Sequence, residues 1–173
     1  NSSGMGLEIV SGLNATVSGC TATGVTGGGG VGISISGVTA NVSVQTCMVT
    51  TNTGSGLNIS SGSVVTVTGN TFSGNIGSGI SCSPGSGAIV MIAANIFSGN
   101  VAAGYSGYPG GLLVSGSGSV ALFGNVFTGN EMWNLIPKSG GELYKWDHSS
   151  TYIQEPPFFA GLSREVKPIT DIK

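Results

Sequence analysis

Charge is what this sequence has least of. Apart from Glu8, no aspartate, glutamate, lysine, arginine or histidine occurs before Glu131, and all five basic residues lie between Lys138 and Lys173. With a formal net charge of −2 and no basic cluster, the chain has no electrostatic footprint for nucleic acid or for an anionic lipid surface. Long hydrophobic runs are missing too. The longest, from Ala88 to Phe97, contains Asn95 and falls well short of the roughly 20 residues that span a bilayer. Good helix formers are few, β-branched residues are frequent, and glycine recurs every few positions, which argues against helices. The 32 glycines follow no three-residue period, which excludes a collagen triple helix. The three cysteines include no Cys-x-x-Cys pair, so they make neither a disulfide framework nor a metal site, and the redox compartment stays open. No charged leader with a cleavage site opens the chain. It begins at Asn1 already inside its repeat pattern and reads as a fragment of something longer.

What is present is repetition. The stretch Val64-Val-Thr-Val-Thr-Gly-Asn-Thr-Phe-Ser-Gly-Asn75 returns as Ile89 to Asn100 and as Ser119 to Asn130, and in weaker form as Asn41 to Asn52 and Asn14 to Val25. Aligned on these endings, Phe72, Phe97 and Phe127 share a column with Ala22 and Val49. Asn70, Asn95 and Asn125 share one with Cys20 and Cys47, and Val17, Val44, Val67, Ile92 and Leu122 form a third. A second motif opens each unit, at Gly6-Leu, Gly32-Ile, Gly56-Leu, Gly79-Ile and Gly111-Leu, with spacings of 26, 24, 23 and 32 residues. Within a unit the apolar residues alternate with period 2, the mark of strands with one buried face. A unit of this length cannot bury that face alone, whereas stacked units can, each about 4.8 Å above the last. The expected fold is therefore all-β: a parallel β-helix of about five rungs over residues 1–130, followed by a mostly irregular tail over 131–173. The stretch Val101 to Pro109, with Tyr105 and Tyr108, breaks the period and should bulge from one rung as a loop.

The units resemble right-handed parallel β-helix repeats, and especially those of chlamydial polymorphic outer-membrane proteins, which pair Gly-Gly-apolar-apolar with Phe-x-x-Asn. Gly110-Gly-Leu-Leu113 matches the first half and Ser78-Gly-Ile80 approximates it. Phe72-Ser-Gly-Asn75, Phe97-Ser-Gly-Asn100 and Phe127-Thr-Gly-Asn130 match the second. The first two rungs depart from the pattern, with Ala22 and Val49 in the Phe column. The resemblance spans about residues 4–130 and implies fold far more than function.

From about Phe127 the composition changes. Charge appears, both tryptophans appear (Trp133 and Trp146), and the Gly/Ser repetition stops. Gly129-Asn-Glu-Met-Trp133, Leu143-Tyr-Lys-Trp-Asp147 and Ser150-Thr-Tyr-Ile-Gln-Glu-Pro-Pro-Phe-Phe159 resemble the aconitase family, at the connection into its mobile last domain. That resemblance implies an iron–sulfur enzyme of the cytoplasm or mitochondria. The cluster cysteines the family needs are absent, since Cys20, Cys47 and Cys82 all lie in the repeats and none is suitably spaced. Within the tail, prolines 137, 156, 157 and 168 predict irregular structure, with one helical turn near Glu131 to Leu135. Trp133, Tyr152, Phe158 and Phe159 are candidates to cover the last rung.

Candidate site residues are few. Enzymes of this architecture that cleave sugars use carboxylates, and residues 9–130 offer none, so no catalytic residue, cofactor site or metal site is expected. His148, beside Asp147 and Lys145, reads as a solvent-exposed residue of a connector. Asn70, Asn95 and Asn125 could be a binding row, but the favoured reading is a turn ladder in which asparagine adopts the left-handed conformation and stacked amides bond along the axis. Phe72, Phe97 and Phe127 read as a core ladder. Thr23, Thr50, Ser73, Ser98 and Thr128 form an outward hydroxyl column like those of ice-binding solenoids, but the adjoining column (Thr21, Met48, Thr71, Ile96, Val126) interrupts the array. Cys20 and Cys47 sit one rung apart in one column, within disulfide reach and equally suited to being two buried thiols. Cys82 belongs to the core. Asn1, Asn14, Asn41 and Asn58 begin glycosylation sequons, with Asn14 and Asn41 stacked on one outer column.

The expected function is a non-catalytic structural or adhesive β-helix segment of an extracellular or cell-surface protein. Its expected partners are neighbouring rungs or subunits, glycans or cell-surface proteins. The alternatives are a fragment of an aconitase-type hydro-lyase lacking its active site, and a carbohydrate-binding or carbohydrate-cleaving β-helix.

Overall fold

A computed structural model describes residues 4–11, 14–37, 41–60, 64–101 and 110–130, together with the backbone of strands at 135–140, 143–145 and 167–168. Every regular element among them is a β-strand, and the strands come in threes. The first rung is β1 (Met5–Ile9), β2 (Asn14–Ser18) and β3 (Thr21–Thr23), and the second is β4 (Val31–Ile35), β5 (Asn41–Gln45) and β6 (Met48–Thr50). The third is β7 (Leu57–Ile59), β8 (Val64–Thr68) and β9 (Thr71–Ser73), and the fourth is β10 (Ile80–Cys82), β11 (Ile89–Ala93) and β12 (Ile96–Ser98). The fifth is β13 (Leu112–Gly116), β14 (Ser119–Phe123) and β15 (Val126–Thr128). Beyond it come β16 (Leu135–Gly140), β17 (Leu143–Lys145) and β18 (Lys167–Pro168).

Each strand pairs in parallel with its counterpart one rung away, which gives three sheets wound about one axis. The sheet orders are β1-β4-β7-β10-β13-β16, β2-β5-β8-β11-β14-β17-β18 and β3-β6-β9-β12-β15. The registers follow the sequence columns: Ala22↔Val49, Val49↔Phe72, Phe72↔Phe97 and Phe97↔Phe127 are direct partners. This is the parallel β-helix expected from the repeats. The core is a stack of columns in which Ile33, Ile35, Leu57, Ile59, Val44, Val67, Phe72 and Phe97 lose all solvent contact. The rings of Phe72 and Phe97 stack at 5.4 Å, and those of Phe97 and Phe127 at 4.6 Å with nearly parallel planes.

The two sequence motifs turn out to be two sides of one corner, where a rung leaves the third sheet and returns to the first. A Cβ on Gly79 would lie 2.7 Å from Phe97 Cδ1, 2.8 Å from the Gly111 carbonyl oxygen and 3.1 Å from Asn100 Nδ2. A Cβ on Gly56 would lie 3.0 Å from both Phe72 Cδ1 and Asn75 Nδ2. Gly56 and Gly79 open their rungs because the phenylalanine ring and the asparagine amide of the same rung occupy the space a side chain would need, while at Gly32 Val49 and Asn52 fill it and at Gly6 Val25 does.

The turns correct one expectation. The left-handed conformation is not carried by the ladder asparagines but by the residue before each of them: Gly69 (φ 64°), Ala94 (φ 52°) and Gly124 (φ 58°). That residue makes the sharp change of direction, and the asparagine after it keeps ordinary backbone angles. In the second rung the same work falls to Thr46 (φ 54°) and Thr51 (φ 53°), β-branched residues for which the region is unfavourable. Their hydroxyls donate to the Gln45 and Thr50 carbonyl oxygens at 2.7 and 2.8 Å and brace the turn.

Of the tail, Leu135–Gly140 and Leu143–Lys145 are extended and continue the first and second sheets, with Leu112↔Leu135 and Leu122↔Lys145 as partners. Leu135, where a helical turn was expected to end, begins a strand. The rest of that turn, the aromatic cover of the last rung and the loop with Tyr105 and Tyr108 lie outside the described residues.

Ala94 is strained where its column neighbours are glycines. Ala94→Gly should therefore stabilise the fold by about 1 kcal/mol, read as a raised midpoint in chemical denaturation with an unchanged slope. No change, or a loss, would show that the turn relaxes around the alanine.

Candidate functional site

The most organised polar feature of the molecule is a pair of asparagine ladders inside the wall. In the first, Asn95 donates through Nδ2 to the Val67 carbonyl oxygen (2.9 Å) and to Asn125 Oδ1 (3.0 Å). Its Oδ1 accepts from the Asn70 backbone N–H and Asn70 Nδ2, both at 2.9 Å. Asn70 closes the series below by accepting from the Cys47 N–H at 2.8 Å and donating to the Val44 carbonyl oxygen at 3.0 Å. An amide has two donors and two acceptor lone pairs, and Asn95 uses all four. Asn70, Asn95 and Asn125 are each at most 1% exposed.

A second ladder runs parallel to it through Asn52, Asn75, Asn100 and Asn130. Asn75 Nδ2 donates to Asn100 Oδ1 (2.9 Å) and to the Val49 carbonyl oxygen (3.0 Å), and its Oδ1 accepts from the N–H and Nδ2 of Asn52. Asn100 repeats the arrangement with Asn130 and Phe72. This ladder was not picked out from sequence as a stack, although its members end the Phe-x-x-Asn motif and their recurrence was the available signal. Neither ladder presents an amide to solvent, so neither is a binding row.

Apart from the exposed Glu8 on β1, the outer faces carry no charged side chain among the described residues. The column Thr23, Thr50, Ser73, Ser98 and Thr128 is in register on the third sheet, and Thr50 donates to Thr23 Oγ1 at 3.2 Å. The neighbouring column carries Met48 and Ile96, about half exposed, and Val126, which interrupt any regular hydroxyl array. On the second sheet, Asn14, Thr16, Asn41, Ser43, Val64 and Thr66 line an open groove of about 520 Å³ across three rungs. Two sequons therefore lie side by side in this groove, with Asn14↔Asn41 and Thr16↔Ser43 paired. Asn14 and Asn41 are exposed, and Asn58 is half-buried on the first sheet. Asn1 and the side chains of Lys145, Asp147 and His148 lie outside the described residues.

All three cysteines are free thiols. Cys82 pairs between Ile59 and Val114 in the core, and burial pushes its thiol up to about 12. Cys20 is half-buried, and Cys47 is 2% exposed with its thiol raised, chiefly by burial. Among the described residues no group of three or more His, Cys, Asp or Glu could hold a metal ion. Among the described residues no helix is long and apolar enough to cross a membrane, which says nothing of strands.

Comparison with known proteins bears on this architecture directly. A family model described as a right handed beta helix region matches residues 1–132. The chain belongs to this right-handed β-helix family. Other matches are short and concern a different protein, aconitate hydratase A. The enzyme from Bradyrhizobium diazoefficiens is 44% identical over 50 residues, which is 29% of this chain and 6% of the relative. That of Thermus thermophilus is 52% identical over 48 residues, 27% of the chain and 5% of the relative. That of Legionella pneumophila is 43% identical over 60 residues, 35% and 7% respectively. The chain thus covers less than a tenth of the length of these curated relatives. No solved structure matches it.

Two substitutions probe the interior of this β-helix. Asn95→Asp replaces the amide donors with a buried carboxylate that faces the Val67 and Asn125 oxygens, so burial should raise its pKa. A raised folded-state pKa gives stability that is present at acid pH and lost as pH rises through it. The variant should therefore be weaker than the parent at neutral pH, by about 2–5 kcal/mol, and recover on acidification. A pH-independent deficit in denaturation midpoint would overturn this. For Cys82 the same sign holds at the alkaline end. The unfolded thiol ionises near its ordinary value of 9.0 and the folded one only near 12, so stability should fall across that window. Cys82→Val, matching its column neighbours, should flatten this alkaline loss relative to the parent chain in denaturation titrations. An identical slope would show that Cys82 is not its source.

Proposed function

We propose that this chain is a non-catalytic structural or adhesive segment of a surface or extracellular protein, similar in kind to the β-helix repeats of chlamydial polymorphic outer-membrane proteins. Its partners are further rungs or subunits along the axis, and glycans or cell-surface proteins across its outer faces. The observation that supports this best is the use made of the asparagines. In an almost uncharged wall these are the strongest polar side chains, and Asn75, Asn95 and Asn100 spend every donor and acceptor on neighbouring rungs. Hydrogen-bonding capacity is invested in rigidity, and the outer columns are left with hydroxyls and apolar side chains suited to contact over area.

A second reading, a carbohydrate-binding or carbohydrate-cleaving β-helix, draws support from the groove lined by Asn14, Thr16, Asn41, Ser43 and Thr66, whose amides and hydroxyls suit a neutral glycan. A third, a fragment of an aconitase-type hydro-lyase, draws support from the short matches to aconitate hydratase A.

Incubation of the folded chain with neutral and acidic polysaccharides separates these readings. The structural reading expects no oligosaccharide release, no iron in the purified chain and no isomerisation of citrate. Release of reducing or unsaturated ends would overturn it in favour of a sugar-cleaving enzyme. Bound iron with citrate turnover would overturn it in favour of the hydro-lyase.

A further inference from the structure

Cys20 and Cys47 fill the two lowest positions of the corner column that Asn70, Asn95 and Asn125 occupy above them. The Met48 N–H donates to the Cys20 carbonyl oxygen at 2.8 Å, and Thr21↔Met48 are direct partners, so the two cysteines lie side by side on adjacent rungs. Neighbouring parallel strands are about 4.8 Å apart, inside the Cα separation of roughly 4.4–6.8 Å over which disulfides form. The side chains also point the same way. Cys20 Sγ donates to the Ser18 carbonyl oxygen at 3.5 Å and Cys47 Sγ to the Gln45 carbonyl oxygen at 3.3 Å, and Ser18↔Gln45 are themselves partners. Cys82 has no such neighbour, since Ile59 and Val114 flank it.

We propose that Cys20 and Cys47 form a built-in oxidation site that closes into a disulfide tying the first rung to the second. Exposure sets the order of events: Cys20 is half-buried and reachable, whereas Cys47 is 2% exposed and its thiol is raised chiefly by burial. The Cys20 thiolate attacks a sulfur of a small disulfide such as oxidised glutathione. The S–S bond of glutathione breaks, one glutathione leaves as thiolate, and a mixed disulfide forms on Cys20. The Cys47 thiolate then attacks Cys20 Sγ and expels the second glutathione. The two cysteines lose two electrons and two protons, and one glutathione disulfide becomes two glutathiones.

The test uses the whole folded chain, incubated with oxidised glutathione, quenched in acid, unfolded, alkylated and digested with chymotrypsin. Cleavage after Leu13 and Leu57 releases residues 14–57, which carry Cys20 and Cys47 but not Cys82. The expected peptide is two hydrogens lighter than the reduced one, takes up no alkylating reagent and reverts with dithiothreitol. The oxidised chain should also have a higher denaturation midpoint than the reduced chain. In Cys47→Ser, where a hydroxyl can keep the hydrogen bond to Gln45, glutathione should stay trapped on Cys20. Wild-type chain that keeps glutathione on Cys20 with Cys47 still alkylatable, or that leaves both cysteines unmodified, would overturn the proposal.

Discussion

The constraint on which the rest of this structure depends is the satisfaction of buried amides. A polar side chain removed from water without partners costs more than a typical contact returns. The chain nonetheless buries two rows of asparagine at its corners. It can do so because successive rungs place the same amide at the same height, from the third rung in one ladder and from the second in the other, so each one's donors meet the acceptors of the next. The arrangement works only if consecutive rungs are in register, which means the ladders select the parallel, residue-for-residue pairing seen between the rungs that carry them. A slip of one residue would strand donors and acceptors on both rungs at once. The apolar columns supply most of the burial and also oppose a one-residue slip, which would turn their inward faces to solvent. A two-residue slide would keep Val, Ile and Leu inward but would break the amide ladders, so the amides add register that the core alone does not fix.

Most of this fold was legible in the sequence because a solenoid writes its contacts as columns. The stacking of Phe72, Phe97 and Phe127, the inward place of Cys82 and the partners Asn14 and Asn41 all follow from alignment, since residues one repeat apart are neighbours in space. Two features were less legible. The left-handed turn residue was assigned to asparagine on its general tolerance of that conformation. The chain gives it to the preceding position, where Ala94, Thr46 and Thr51 show no obvious turn signature. The contact between the opening glycine and the phenylalanine of the same rung was also hidden, because it joins residues some 18 apart across the section of the helix rather than one repeat apart. Function was the least legible of all. The residue types that announce chemistry are absent from the wall, and shape alone does not name a ligand.

The passage from Asn130 into the tail separates sequence repetition from backbone pairing. Beyond Asn130 the Gly/Ser pattern stops and charge begins, yet Leu135–Gly140 and Leu143–Lys145 still pair in parallel with β13 and β14. Main-chain donors and acceptors at the edge of a sheet accept an extended segment whatever its side chains. Backbone winding can therefore outrun the Gly/Ser pattern, and the segment keeps apolar residues in register with the core columns, with Leu135 opposite Leu112 and Leu143 opposite Val120.

The unequal lengths of the rungs have an evolutionary consequence. The opening glycines are separated by as few as 23 and as many as 32 residues, yet the amides of Asn95 and Asn125 meet across the longest interval as closely as those of Asn70 and Asn95 across a shorter one. The corners fix where each rung begins and ends, while the length of chain between them is left free. Such a wall can gain, lose or exchange whole loops at one rung without disturbing the next. Its variation is modular: the length of chain between corners can change while the corner frame stays as it is.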